Sequence, residues 1–245
     1  MSVSWGSSSF FNKRTPKPRS SHSSKSANST RVSEGVDAGA DKVLSDVDDG
    51  IITRFEAVKT LRRISNNDDG RLVVRGATLR TGSASALEIL LSDKSAQLDE
   101  LVLQDVRVSG DAMLRLTSGL RQCDSLIKFT FTNSALTDET AGDVARAISH
   151  LPALETLDLS DNNIAGLLFL NNLHNASIKT LTLDKNPVAS ASLTDAVAYI
   201  SGWSPQLEFL SMKNTPLVKE HGNSDFLRAA LKNRSEYFTK LRLVV

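Results

Sequence analysis

The chain has 245 residues, with 29 Lys and Arg against 28 Asp and Glu, and one cysteine. A net charge of +1 gives no general pull toward nucleic acid or an anionic membrane. The single cysteine excludes an internal disulfide framework and suits a reducing compartment, and no apolar run approaches membrane-spanning length.

The charge is unevenly distributed. Residues 1–33 hold six basic residues (Lys13, Arg14, Lys17, Arg19, Lys25, Arg31) and no acid, whereas 34–49 hold six acids and one Lys. The remaining residues balance, with 22 of each sign. Residues 1–49 are Ser-rich and poor in apolar side chains, which predicts a disordered tail, basic over 1–33 and acidic over 34–49. Three readings of the tail stay open. It is a solvating tail, a nuclear-import cluster at KRTPKPR with Thr15-Pro16 as a phosphorylation site, or a mitochondrial presequence. Pro16 and Pro18 interrupt the amphipathic helix that a presequence needs. Trp5, Phe10 and Phe11 are unusual in such a tail and would suit a partner contact.

The stretch DVDDGIITRFE, Asp46 to Glu56, resembles an EF-hand calcium loop with one residue missing. The resemblance implies Asp46, Asp48, Asp49 and Glu56 as ligands. The deletion falls where the loop geometry is tight, and EGVDAGADKVL makes a poor entering helix. Otherwise the stretch is an acidic linker whose Asp48 and Asp49 cap the following helix. That helix, over 50–68, places Ile52, Phe55, Val58, Leu61 and Ile64 on one face and would cover the edge of the first strand, RLVV.

From residue 69 an apolar pattern of positions 1, 4, 6 and 11 repeats. Leu98, Leu101, Leu103 and Val108 fit it, as do Leu126, Phe129, Phe131 and Leu136. So do Leu154, Leu157, Leu159 and Ile164, then Ile178, Leu181, Leu183 and Val188, then Leu207, Leu210, Met212 and Leu217. Leu72, Val74 and Leu79 belong to a first unit starting at Asp69, and Leu241 with Val244 opens a last one. Positions 3 to 7 read as a strand, with 4 and 6 inward and 3, 5 and 7 outward. Asn162 and Asn186 at position 9 are placed to bond turn backbone. Val106, Ser134 and Thr215 replace that Asn elsewhere, predicting less regular turns there. Helical spacing fills the gaps: Ala86, Leu87, Leu90 and Leu91; Met113, Leu114, Leu116 and Leu120; Val144, Ala147, Ile148 and Leu151 after Thr137 as N-cap; and Val197 and Ile200 after Ser192. The unit from Leu154 to Ser177 has room only for a shorter helix.

This pattern resembles the leucine-rich-repeat family. Units of 28 or 29 residues look like its ribonuclease-inhibitor subclass, and the short unit looks like its phosphatase-regulator subclass. The resemblance implies an α/β leucine-rich-repeat solenoid, with a curved parallel sheet on the concave face, helices on the convex face and repeats over 69–245. Residues 207–245, with Asp225 to Arg228 standing where the family has Tyr-Arg, resemble its C-terminal cap. The finish at Val245 is accordingly expected to be a natural end.

Nothing in the sequence assembles a catalytic site. His22, His150, His174 and His221 lack partners at triad or metal spacing, Cys123 closes a helix, and no phosphate-cradling loop is present. The reading is a non-enzyme without a cofactor or a metal. The resemblance implies binding of folded proteins or helices on the concave sheet, and the charged and aromatic entries Arg71, Arg75, Lys128, Asp158, Asp184, Phe209 and Lys213 are the candidate partner contacts. Trp203 is a second candidate contact, or else a residue buried under the cap. The expected function is an adaptor or scaffold subunit of a larger intracellular assembly, nuclear or cytoplasmic and cytoskeletal, or mitochondrial if the tail is a presequence. The alternative is a nucleic-acid-associated subunit using the basic tail, and a third reading is a calcium-responsive adaptor.

Overall fold

The apolar pairs at positions 4 and 6 force each unit to lay one short strand beside the last, because no unit can bury that edge alone. A computed structural model describes residues 39–93, 97–173, 177–202, 206–220 and 241–244. The expectations for residues 1–38, His174, Trp203, His221 and the cap segment around Asp225 to Arg228 lie outside those residues.

The described chain opens with helices α1 (Ala40–Asp48) and α2 (Arg54–Asn67), then β1 (Arg71–Arg75), β2 (Thr78–Leu79) and α3 (Thr81–Leu91). It continues through β3 (Glu100–Gln104), β4 (Arg107–Val108), α4 (Gly110–Leu120), β5 (Lys128–Thr132), α5 (Asp138–Ile148) and β6 (Thr156–Asp158). A 3₁₀ turn at Leu168–Asn172 takes the place of a helix in the short unit. Next come β7 (Thr180–Thr182), a second 3₁₀ turn at Ser190–Ser192, α6 (Leu193–Gly202), β8 (Phe209–Ser211), α7 (Pro216–Glu220) and β9 (Arg242–Val244).

One sheet contains seven of these strands in the order β1-β3-β5-β6-β7-β8-β9, and every pairing is parallel. The core lies behind it. Leu72, Leu101, Phe129, Leu157 and Leu181 at position 4 are fully buried, as are Val74, Leu103, Phe131, Leu159 and Leu183 at position 6. Helices α3, α4 and α5 stack in turn on the other side. Gly119 lets α4 approach α3, since a Cβ there would stand 2.8 Å from the Glu88 Cα. This is the leucine-rich-repeat fold.

The turns are more regular than the missing asparagines suggested. Position 8 has a positive φ in all six units: Gly76, Asp105, Asn133, Asp161, Lys185 and Asn214, between 49° and 61°. Five of these are Gly, Asn or Asp, the residues that tolerate the left-handed region. The position 8 N–H then donates to the next unit's position 7 carbonyl, from Gly76 to Gln104, Asp105 to Thr132, Asn133 to Ser160, Asp161 to Asp184 and Lys185 to Lys213. At the strand entry, the Asp99 carbonyl accepts from both Ile127 and Lys128, and the same fork recurs at Gly70, Ile127, Glu155 and Lys179.

Asn162 does as expected. Its Nδ2 donates to the carbonyls of Phe131, Leu159 and Ser160, and its Oδ1 accepts from the Ser134 and Leu136 N–H groups. Asn186 repeats this toward Leu159, Leu183, Asp184 and Ile164. Ser134 provides a shorter version, accepting from Val106 N–H and donating to the Thr132 carbonyl.

Four expectations need correction. Residues 40–48 form a helix packed into the core through Ala40, Val43, Leu44 and Val47, so an acidic tail does not extend to residue 49. Helix α2 buries Val58 and Leu61, and Ile52 and Ile64 pack against the core as expected, but Ala57 and Ser65 are buried with them and Phe55 is left 79 % exposed. Leu114 likewise faces solvent while Met113, Leu116 and Leu120 are buried. In β9 the partner of Leu210 is Leu243, which packs against the core. The last unit therefore starts at residue 240, and a slip of one exchanges the two faces of a strand.

Candidate functional site

The register sets which side chains stand on the open face of the sheet. Position 3 runs Arg71, Glu100, Lys128, Thr156, Thr180, Phe209 and Arg242. Position 5 runs Val73, Val102, Thr130, Asp158, Thr182, Ser211 and Val244. Position 7 begins with Arg75, Gln104 and Thr132 on paired strands, and the turn bonds carry it on to Ser160, Asp184 and Lys213. All seven residues singled out from the sequence thus fall on one face.

They are not equivalent there. Glu100 is a hub, accepting from Arg71 Nε at 3.2 Å and from Lys128 Nζ at 2.9 Å across two strand pairs. These pairs are partly exposed, so each contributes little to stability, but together they orient three side chains. Arg75 Nε donates to Gln104 Oε1 at 3.2 Å. Asp158 accepts from the N–H and Oγ of Ser160. Asp184 accepts from Ser211 Oγ at 2.6 Å and from the Lys213 N–H at 2.7 Å. Both acids therefore hold the strand exits, and only part of their accepting capacity faces outward.

The far end differs. The Arg242 guanidinium sits 5.8 Å from the centroid of the half-buried Phe209 ring, a cation–π distance. Lys213 is exposed and forms no ion pair among the described residues. Arg242 and Glu100 were missed as site residues. The wrong register hid Arg242, and the signal for Glu100 was the alternating sign at position 3 through Arg71, Glu100 and Lys128. Along the strand-entry rim Glu155 bonds Lys179 at 2.6 Å and raises the Lys179 pKa. At the opposite rim a groove of about 520 Å³ follows the turns past Asn133, Asp161, Lys185 and Pro187.

The four calcium-ligand candidates do not converge. Asp46 pairs with Lys42 at 3.0 Å, and Asp49 lies 3.4 Å from Ser45 Oγ. Asp48 turns away to the N-terminus of α3, accepting from the N–H and Oγ of Ser83 and from the Arg80 N–H. It caps α3, not α2. The cap of α2 is Thr53 in a capping box with Glu56, whose pKa the Thr53 N–H and hydroxyl lower. No group of three or more His, Cys, Asp or Glu arranged to hold a metal occurs among the described residues. His150 is exposed at the end of α5. Cys123 is buried, and loss of hydration pushes its thiol up to about 11, which leaves almost no thiolate at neutral pH.

No protein-family model and no curated protein sequence matches the chain. Among solved structures it is similar to an internalin from Listeria monocytogenes, at 15% identity and a TM-score of 0.37 over 71% of this chain and 52% of that one. The chain thus spans about half the length of that structure. The fold assignment rests instead on the strands, turns and register described above, and by these the chain is an α/β leucine-rich-repeat solenoid.

Proposed function

We propose that the chain is a non-catalytic protein-binding module, an adaptor or scaffold subunit that engages a folded partner through the open face of its sheet. The observation that carries this reading is the open face itself. Seven strands in one register hold a fixed array of Thr and Ser hydroxyls between two charged ends, and the side chains at those ends are already oriented by their neighbours. Preorganised side chains lose less freedom on binding. Phe209 with Arg242, and Arg71 with Arg75, are of residue types enriched in protein interfaces, whereas Asp158 and Asp184 act mainly by shaping the turns. The mixed repeat lengths fit the same role, with long units resembling the ribonuclease-inhibitor type and the short one the phosphatase-regulator type. A photo-crosslinking residue placed at Thr156 or Thr180, in cells that make the protein, tests the reading. Crosslinks to one discrete protein are expected from these positions and not from Ser118 on α4. Equal labelling from both faces contradicts it.

A further inference from the structure

The end of the sheet covered by α1 and α2 carries opposite charges side by side. Residues 39–50 hold four Asp and one Lys, a net −3, and residues 51–67 hold four basic residues and one Glu, a net +3. The two helices touch each other and β1. Arg62 is ion-paired with Asp93. Arg54, Lys59 and Arg63 are exposed and have no such partner among the described residues. On the acidic side Asp41 and Asp49 are exposed beside a cleft of about 480 Å³ between α1 and the β1–β2 turn. At the corner joining the helices, Ile51 is 68 % and Phe55 79 % exposed.

A phenylalanine so exposed forgoes much of the stabilisation that burial of such a side chain supplies. A partner of one sign would be attracted by one helix and repelled by the other. A second copy related by a two-fold axis meets neither problem. Residue i then contacts j while j contacts i, so each acidic helix faces a basic one and the central residues meet their own counterparts. We propose that this face docks a second copy of the chain, α1 of each against α2 of the other, with Ile51 and Phe55 of both at the centre. The proposal is independent of the reading of the open sheet face.

Sedimentation equilibrium of the full chain at low and high salt tests it, with three sets of exposed substitutions whose fold is checked by circular dichroism. The wild type is expected to form dimers that weaken as salt rises. Phe55→Ser should raise the dimer Kd at least about tenfold. Asp41→Lys with Asp49→Lys makes both helices basic, Lys59→Glu with Arg63→Glu makes both acidic, and each of these proteins alone should be monomeric. Mixed in equal amounts, the two should form a heterodimer, because every reversed helix again meets its opposite. A wild type that stays monomeric at all concentrations and salts overturns the proposal. So does a mixture that associates no better than its separate components.

Discussion

Asp48, at the end of α1, binds Ser83 in the first turn of α3, accepting its N–H at 2.8 Å and its Oγ at 2.6 Å across 35 residues of sequence. One of the four carboxylates that resembled calcium ligands is thus a helix cap. It satisfies orphan donors and sits at the positive end of the α3 dipole. Asp48→Ala should lower stability by about 1–2 kcal/mol in urea unfolding. Calorimetry with calcium should give no binding heat in the wild type, and thus no change with Asp49→Ala or Glu56→Ala. A saturable heat lost in those variants would restore the calcium reading.

Asn162 serves three carbonyls and two N–H groups from a buried position. Asn162→Ala should cost more than about 2 kcal/mol, because each buried group left unpaired adds its own penalty. Asn162→Asp should fare no better, since a carboxylate accepts but cannot donate to the carbonyls of Phe131, Leu159 and Ser160. Denaturant midpoints for both variants check this.

Lys185 is the one long side chain among the left-handed turn residues, at φ +57°. Its ion pair with Asp161, at 3.4 Å, is half exposed and contributes little. Lys185→Asn should therefore stabilise the fold by up to about 1 kcal/mol, relieving the left-handed penalty. A rise in the thermal midpoint is the expected result.

The Cys123 thiol has a pKa raised by burial from 9.0 to about 11. Its contribution is fully present below the unfolded value and is lost as pH rises through the folded one. The stability difference between wild type and Cys123→Ala should thus be constant up to about pH 9 and shrink toward pH 11. Thiol labelling at neutral pH should be slow in the folded protein and fast in urea.

The strands were legible because Leu157 and Leu159, and their counterparts, must alternate on a strand with only one buried face. The register of β9 was not, because Leu241 and Leu243 both pack against the core with only Arg242 between them, so either could be taken to set the frame. Helix α1 carries the period of Ala40, Val43, Leu44 and Val47, but it was obscured by the acids and glycines around it. Phe55 was misplaced because the buried stripe of α2 also takes in Ala57 and Ser65, small residues that an apolar pattern does not pick out. The turn signal lay in position 8, where backbone conformation, and not burial, selects the residue. On the open face the columns could be read in advance. The commitments of Glu100, Asp158 and Asp184 could not, because those bonds join side chains to neighbouring strands and turns.

Binding through the open face is tested most directly by affinity purification of the tagged full chain from its own cells with quantitative mass spectrometry. The wild type is compared with a folded Arg75→Ala, Phe209→Ala, Lys213→Ala and Arg242→Ala variant, which leaves the turn-holding acids intact. A discrete set of protein partners reduced at least about tenfold in the variant is the predicted result. The same partners recovered in the same amounts would contradict the account.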